Sequence, residues 1–328
     1  MSRPSAFPSL LVIAGIVGAI LLFEQSRADE LQTPRIGALV LPLATSPFDE
    51  GLREGLREFG YIEGKTIVIE WRRSAGPDEE LRKLAAELAR SKAQVIVVYG
   101  TPATRAVVEA TSTIPVVFGS GAPVESGLVP SLARPGGNAT GVSVIITELT
   151  EKRLELLHQV VPRARRIAYL TNSSNPIAAA QLDAALRAAR TLGLELLTLD
   201  ARNADELDTV LGALLRIEAN AVFIGADPLL DASRSKIARA VRKAGLPAIS
   251  PFRQYHDEGV LLSYGTNQAE VGRMMAGYIH KILKGAKPSD LPIEQLSKYV
   301  LVIDLRVARQ LGLKISRELQ MRADEVIR

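Results

Sequence analysis

The sequence predicts an α/β protein with two doubly wound parallel-sheet lobes. Short apolar runs alternate with longer segments of helical periodicity, which is typical of parallel strands connected by helices. The same order of strands and helices occurs twice, at an offset of about 130 residues, and this repetition indicates two similar domains. A chain of 328 residues, of which 47% are hydrophobic, is also long enough and apolar enough to form two cores.

The first copy contains four strands, which we predict at 35–41, 65–71, 95–99 and 115–118. The run VIVVY at 95–99 is short, valine-rich and not alternating, as expected for a strand buried on both faces of a parallel sheet. Ser46 and Thr101 are each followed by proline and each predict a helix start, because a hydroxyl caps free N–H groups and proline lacks one. The spacing of leucines predicts another helix at 77–91.

The second copy follows a helix that we predict at 149–160. Its strands are predicted at 166–171, 195–199, 221–225 and 247–250, and its helices at 175–192, at 205–218 and from Asp227. The tail contains a turn at 264–267, a helix at 268–284, a strand at 298–304 and a helix at 305–311. These elements are too few for a third domain, so we expect them to complete the edges of the two lobes.

The N-terminal residues predict a secretory signal peptide over residues 1–28. An apolar run spans Leu10–Phe23, and small residues precede the expected cleavage after Ala28. This signal predicts a periplasmic protein. The alternative is an uncleaved membrane anchor, because Phe7–Phe23 approaches the roughly 20 residues that span a bilayer.

Composition and motifs argue against catalysis and nucleic-acid binding. The net charge of +4 comes from 40 basic and 36 acidic residues, aromatic residues make up only 5% and there is no long basic block. Because the chain has no cysteine, disulfides, thiolate metal sites and cysteine nucleophiles are excluded. Nucleophile-elbow, phosphate-loop and dinucleotide-binding motifs are missing, and the three histidines lack the spacing of paired metal ligands. We therefore expect no enzymatic activity, no cofactor and no metal.

Four junctions share a chemical pattern that suggests a ligand site. At each, a strand is followed by a capping residue and a proline that open a helix: Ser46-Pro47, Thr101-Pro102, Asn175-Pro176 and Asp227-Pro228. They follow the first and third strands of each copy, and ligands bind at such carboxyl ends of parallel strands, near the switch in strand order. A capping role alone also explains each single junction.

Several sequence blocks then resemble those of a known family. The blocks RIGALVLP, FDEGLREGLREFGYIEGKTIVIEWR, GTPAT, SLARPGGNATGVS, TNSSNP, SYGTN and LVIDLRVARQLGL resemble the ABC transporter substrate-binding proteins typified by the tryptophan/tyrosine-type receptors. The resemblance extends over residues 34–327. This sequence differs from the family pattern at Ala122. Relatives usually carry an aspartate at this position, before the proline of the loop that follows the fourth strand.

This resemblance implies a type I periplasmic binding protein fold. Two Rossmann-like lobes enclose a ligand cleft and are joined by a hinge of several crossovers. The implied first lobe is 34–143 with 264–290, and the implied second lobe is 144–263 with 291–328. The crossings then lie near 141–143, 263–265 and 291–292, where glycine and proline suit a hinge.

In the cleft that the resemblance implies, the helix that starts at Thr101 directs free N–H groups at the ligand's carboxylate, and Asp227 faces its ammonium group. An N-cap role in its own helix explains Asp227 equally well. We expect four aromatic side chains to form an apolar wall: Phe48, Tyr99, Phe118 and Tyr264. A place in the sheet core explains Tyr99 and Phe118 equally well. The complete set of expected ligand-binding residues is Ser46, Phe48, Tyr99, Thr101, Ser120, Asn172, Asn175, Asp227 and Tyr264.

The resemblance implies an extracytoplasmic receptor of an ABC importer. Such a receptor captures a small amino-acid-like solute, for example an aromatic amino acid, and delivers it to permease and ATPase subunits in the membrane. We expect a monomer that does not bind nucleic acid. Two alternatives stay open: a ligand-sensing partner of a membrane receptor, and a secreted enzyme on the same fold.

Overall fold

The computed structural model describes residues 33–41, 46–74 and 78–328, with only the backbone of residues 146 and 147. The predicted signal peptide over residues 1–28 lies outside the described residues. Within them, no helix has the length and apolarity needed to cross a membrane.

The described residues form strands and helices in alternation. In chain order the strands are β1 (Arg35–Val40), β2 (Val68–Arg73), β3 (Val95–Tyr99), β4 (Val116–Gly121), β5 (Ala139–Val144), β6 (Arg166–Thr171), β7 (Glu195–Asp200), β8 (Ala221–Ile224), β9 (Ala248–Ser250), β10 (Leu262–Thr266), β11 (Glu294–Gln295), β12 (Tyr299–Asp304) and β13 (Glu325–Ile327). The helices are α1 (Pro47–Glu58), α2 (Asp78–Ala89), α3 (Thr101–Ala110), α4 (Ile146–Val160), α5 (Ala178–Leu192), α6 (Ala204–Leu214), α7 (Pro228–Ala232), α8 (Arg234–Ala244), α9 (Gln268–Leu283), α10 (Leu305–Gln310) and α11 (Arg317–Arg322). Short 3-10 helices occur at Arg253–His256 and Pro288–Asp290.

The strands assemble into two sheets with the same internal order. The first sheet has the order β11-β5-β4-β3-β1-β2, and the second has the order β13-β12-β10-β9-β8-β6-β7. The strands pair in parallel, except that β10 and β12 are antiparallel. The order reverses between β1 and β3 and again between β6 and β8, which is the switch point of a doubly wound sheet. The predicted α/β class is therefore confirmed.

Helix α9 packs with the elements of the first sheet, although it follows β10 of the second sheet. It packs on α1 at very short range: a Cβ atom added to Gly51 would lie 2.0 Å from the carbonyl oxygen of Ala269, and one added to Gly272 would lie 2.3 Å from that of Phe48. The two helix backbones are thus in direct contact, which only glycine permits. This contact brings the chain beyond β10 back to the first core, which contains Val271 and Met275.

The strand pairing differs from the sequence prediction near two of the expected crossings between the sheets. The segment predicted as a turn at 264–267 is mostly strand β10, which pairs with β12 in the second sheet. Gly265 lies in this strand. A Cβ atom at this position would be 1.8 Å from the carbonyl oxygen of Pro251, so the glycine permits a close backbone approach and does not mark a turn. Likewise β11, beyond the expected crossing at 291–292, still pairs with β5 of the first sheet. The division into lobes stays a prediction, and we propose to move these two boundaries to Asn267 and to 296–298.

Candidate functional site

A cavity lies between the two sheets, at the carboxyl ends of their strands. It contains about 710 Å³ of space that no atom occupies, part of which is open to solvent. Residues from three of the four predicted junctions line it, namely Thr101, Asn175 and Asp227. The junctions nearly meet across it, because a Cβ on Gly100 would lie 3.8 Å from Cγ of Pro228.

The first wall of the cavity is the start of α3. Gly100, and not Thr101, is the N-cap, with φ of 108°, a value that glycine tolerates and other residues rarely adopt. Thr101 is therefore the first helical residue, and its hydroxyl does not cap the helix as predicted. Its Oγ1 lies 2.9 Å from Oγ of Ser120 and accepts a hydrogen bond of 3.2 Å from the N–H of Gly121. The wall thus combines buried hydroxyls with the positive end of a helix dipole.

Tyr99 lies between this wall and the crossing near Asn267. Its ring stacks on Phe48 at 4.5 Å between centroids, and its hydroxyl lies near the side chains of Thr266 and Gln268. Burial raises the pKa of the Tyr99 hydroxyl, so it stays protonated. The Oε1 atom of Gln268 is buried, lacks a hydrogen-bond partner among the described residues and belongs to a side chain on the cavity wall. Gln268 thus has an unused hydrogen-bond acceptor beside the cavity.

The opposite wall carries Asp227, which is 4% exposed. Its Oδ1 accepts a hydrogen bond of 3.0 Å from the N–H of Leu230, so it is the N-cap of α7. Its Oδ2 accepts bonds of 3.1 Å from Asn172 and 2.8 Å from Asn175. Burial raises the pKa of Asp227, and the three hydrogen bonds oppose that rise. All these donors are neutral, so the negative charge is oriented but not neutralised.

A second buried carboxylate, Asp231, lies on the same wall one helical turn further along. Nε2 of Gln254 is 3.2 Å from both of its oxygens. Burial and the charge of Asp227 raise the pKa of Asp231 to about 6, against the lowering effect of Arg234. Two carboxylates of raised pKa beside one cavity favour a cationic ligand group, because its charge offsets their burial.

Arg153 of α4 also lines the cavity, although it is only 1% exposed. Its Nε and Nη1 atoms have no hydrogen-bond partner within the described chain. The guanidinium carbon lies 5.8 Å from the centre of the Phe223 ring. Burial lowers the pKa of Arg153 to about 10. Arg153 is therefore charged at neutral pH.

Five of the nine predicted residues line the cavity, and four lie elsewhere. Tyr99, Thr101, Ser120, Asn175 and Asp227 belong to its walls. Asn172 lies behind Asp227 and orients it. Phe48 is fully buried behind Tyr99, and the ring of Tyr264 lies 6.2 Å from that of Tyr299 beside an apolar cluster. Ser46 lies at the start of α1, where its N–H donates to Asp49.

The predicted helix start at Asn175 also differs from the structure. Residues 173–177 form turns, and α5 begins at Ala178. The Oδ1 atom of Asn175 accepts from the N–H of Ile177 at 3.2 Å, while its Nδ2 atom donates to Asp227. The side chain thus closes a local turn and cannot cap a helix at the same time.

Sequence reasoning missed Arg153, Asp231 and Gln268. A signal for Arg153 existed, because it occurs four residues after Leu149 and four before Leu157 and so lies on the apolar face of α4. Asp231 follows Asp227 by four residues and shares its helix face for the same reason. Gln268 gave no signal, because its neighbour Tyr99 is distant in sequence.

The described residues contain no cluster of three or more histidine, aspartate or glutamate side chains arranged to hold a metal ion. The polar groups of the cavity wall are carboxylates, hydroxyls, amides and one guanidinium. Such a set binds charged and hydrogen-bonding groups of a small molecule.

Comparison with known proteins adds a family to this geometry. Residues 44–327 match the model of the ABC transporter substrate binding protein family. The chain belongs to this family. Its members are substrate-binding proteins, which is not an enzyme class.

Individual relatives agree with this assignment. The chain is 24% identical over 309 residues to the tyrosine-binding protein of Clostridioides difficile, covering 90% of this chain and 89% of the relative. An ABC domain from Streptococcus pneumoniae, solved in complex with L-Trp, has a TM-score of 0.83 and 25% identity over 90% of this chain and 100% of its own. A conserved domain protein from Vibrio cholerae has a TM-score of 0.84 and 25% identity over 90% of this chain and 99% of its own. The fold is thus that of type I periplasmic binding proteins.

Proposed function

We propose that this family member is the receptor of an ABC importer and captures an amino-acid-like solute in the cavity between its sheets. The carboxylate of the solute binds at the start of α3, and its ammonium group faces Asp227 and Asp231. The observation that carries this proposal is the opposition of two walls of different polarity. One wall holds a helix N-terminus with Thr101 and Ser120, and the other holds two buried carboxylates.

The first wall suits an anion. The N–H groups in the first turn of α3 have no acceptor within the helix, and the helix dipole adds positive potential at this end. The hydroxyl of Ser120 contacts that of Thr101, so either can turn to donate to a ligand oxygen. Carboxylates bind well to such helix starts.

The second wall suits a cation. Asp227 and Asp231 are each 4% exposed, and an ammonium group between them would lower the pKa of both. The relative from Clostridioides difficile is named a tyrosine-binding protein, and the domain from Streptococcus pneumoniae was solved in complex with L-Trp. An aromatic amino acid is therefore the first candidate, with Tyr99 and Phe252 available on the cavity wall to contact its ring.

Calorimetric titration of the mature protein tests this assignment of the two walls. We expect L-tryptophan or L-tyrosine to bind, and we expect indole-3-propionate, which lacks the ammonium group, and tryptamine, which lacks the carboxylate, to bind at least about 30-fold more weakly, because each leaves one buried wall unpaired. Binding of an analogue as tight as that of its parent amino acid would refute the assignment of the corresponding wall. Loss of L-tryptophan uptake in cells that lack the gene, restored by the wild-type chain and not by a non-binding variant, tests delivery to a permease.

Export through a cleaved signal peptide is part of this proposal. We expect mass spectrometry of the periplasmic fraction to find a chain that begins at Asp29. Recovery of only the full-length chain, in the membrane fraction, would instead support the anchor.

A further inference from the structure

Among the described residues, Arg153 of the cavity wall has no acidic side chain as a counter-charge. It is almost completely buried, its Nε and Nη1 atoms have no hydrogen-bond partner in the described residues, and its guanidinium lies over the face of Phe223. A buried and unpaired guanidinium is costly, because it has lost its water shell and gained little in return. Such a group is retained where a ligand supplies the missing anion.

The neighbouring charges do not supply this anion. The groups that act electrostatically on Arg153 are the side chains of Tyr169 and Tyr264, and neither is a carboxylate. Asp227 acts electrostatically on Tyr169 and is not among the groups that act on Arg153.

The head group of an amino acid cannot supply it either if that head group binds as we propose. Its carboxylate and its ammonium group are attached to the same carbon, so both stay close to the start of α3 and to Asp227. The wall beside Arg153 is apolar: Leu149 precedes it by one turn of α4, and Val144 and Ile177 belong to the same cluster. This region suits the side chain of a ligand, and Arg153 lies where that side chain would end.

We infer that Arg153 binds a second anionic group, at the far end of the ligand's side chain. The ligand class is then an amino-acid-like solute with an apolar or aromatic centre and a terminal acid. The guanidinium holds such a carboxylate through two parallel hydrogen bonds, for which its planar fork is suited. This inference rests on the proposed function for the head group, and it goes beyond it by specifying the side chain.

A matched pair of probes tests the inference. 4-Carboxy-L-phenylalanine carries a terminal acid, and 4-carbamoyl-L-phenylalanine is its neutral counterpart of nearly equal shape. We expect the wild-type protein to prefer the acid on the order of 30-fold or more, because the acid alone pairs with the buried charge. Arg153→Gln should abolish this preference, whereas Arg190→Gln, which removes an exposed arginine from α5, should leave it unchanged.

Thermal unfolding without ligand separates a binding role from a structural one. If Arg153 is kept for a ligand, Arg153→Gln and Arg153→Met should melt at the same temperature as the wild type or higher, because each removes an unpaired buried charge. A clear fall in melting temperature for both variants would mean that Arg153 supports the fold, and it would overturn the inference. Thr101→Val should weaken both probes alike, because it affects only the head group.

The remaining outcomes distinguish this inference from the proposed function. Equal affinity of the two probes for the wild type, or a preference that survives Arg153→Gln, overturns the role of Arg153 while amino-acid binding stands. Binding of terephthalate to the wild type but not to Arg153→Gln, with no binding of any amino acid, supports Arg153 and refutes the amino-acid head group. The inference also fails if no anionic probe binds in a way that depends on Arg153.

Discussion

Replacing Asp231 by asparagine should stabilise the protein and weaken ligand binding at the same time. In the ligand-free protein this carboxylate is buried, faces the like charge of Asp227 and is only partly offset by Arg234 and Gln254. Its pKa is raised from 3.8 to about 6. That difference corresponds to about 3 kcal/mol, at 1.36 kcal/mol for a tenfold change in acidity.

The sign follows from the direction of this pKa change. A carboxyl group whose pKa is higher in the folded state binds its proton more readily there, so folding is favoured at low pH and loses stability as the pH rises from about 4 to about 6. Above pH 6 the loss is complete. Asparagine is neutral throughout, so Asp231→Asn should raise the free energy of unfolding by about 1–3 kcal/mol at pH 7.5 and by almost nothing at pH 4.

Urea unfolding at both pH values measures this difference. Burial lowers the pKa of His256 to about 4, so this residue makes the folded state more stable as the pH rises, opposite to Asp231. Subtraction of the wild-type free energy of unfolding at each pH cancels this contribution. Asp183→Asn, a change at an exposed position of α5, is the control and should stay within about 0.5 kcal/mol of the wild type. No gain at pH 7.5, or an equal gain at both pH values, would refute the argument.

Three further predictions follow from the packing and the cavity. Thr101→Val keeps the side-chain volume but removes the hydroxyl that contacts Ser120 and Gly121. Calorimetry should therefore find the ligand affinity reduced about tenfold, and urea unfolding should find the free energy of unfolding reduced by about 1–2 kcal/mol. Gly272→Ala should lower the free energy of unfolding by more than about 3 kcal/mol, because its Cβ would overlap the Phe48 carbonyl. The control Gly277→Ala on the same helix meets nothing within 4 Å and should be neutral or stabilising in urea unfolding. Equal effects of the two variants would contradict the close α1–α9 contact. Small-angle scattering should give a smaller radius of gyration with bound ligand, because the two sheets close about three crossings, and identical curves at verified saturation would contradict closure.

The order of strands and helices was predictable because it depends on local patterns. Val95–Tyr99 and Arg166–Thr171 were predicted with the bounds that the structure has. Asp227 followed by proline correctly predicted the cap of α7, because both residues act on the helix start beside them. Thr101 was misplaced by one position, because Gly100 can adopt the positive φ that the turn requires and therefore became the cap.

The rest of the site could not be predicted because it depends on contacts between distant segments. Gln268 acquires its role only through Tyr99, and β10 is a strand only because β9 and β12 pair with it. Arg153 was missed for a different reason. A charged residue in a helix rich in glutamate and lysine usually faces solvent, and only its position between Leu149 and Leu157 indicates that it is buried.

The most direct test of the account is calorimetric titration of the wild type and of Asp227→Asn with L-tryptophan and with indole-3-propionate, the same molecule without its ammonium group. If Asp227 faces that group, the wild type should prefer L-tryptophan by on the order of 30-fold or more, and the variant should lose most of this preference. Thermal unfolding of the variant verifies that it is folded, since it should lose only about 1–3 kcal/mol from the changed cap and its amide neighbours. An unchanged preference in the folded variant would contradict the account, because Asp227 would then be only the cap of α7.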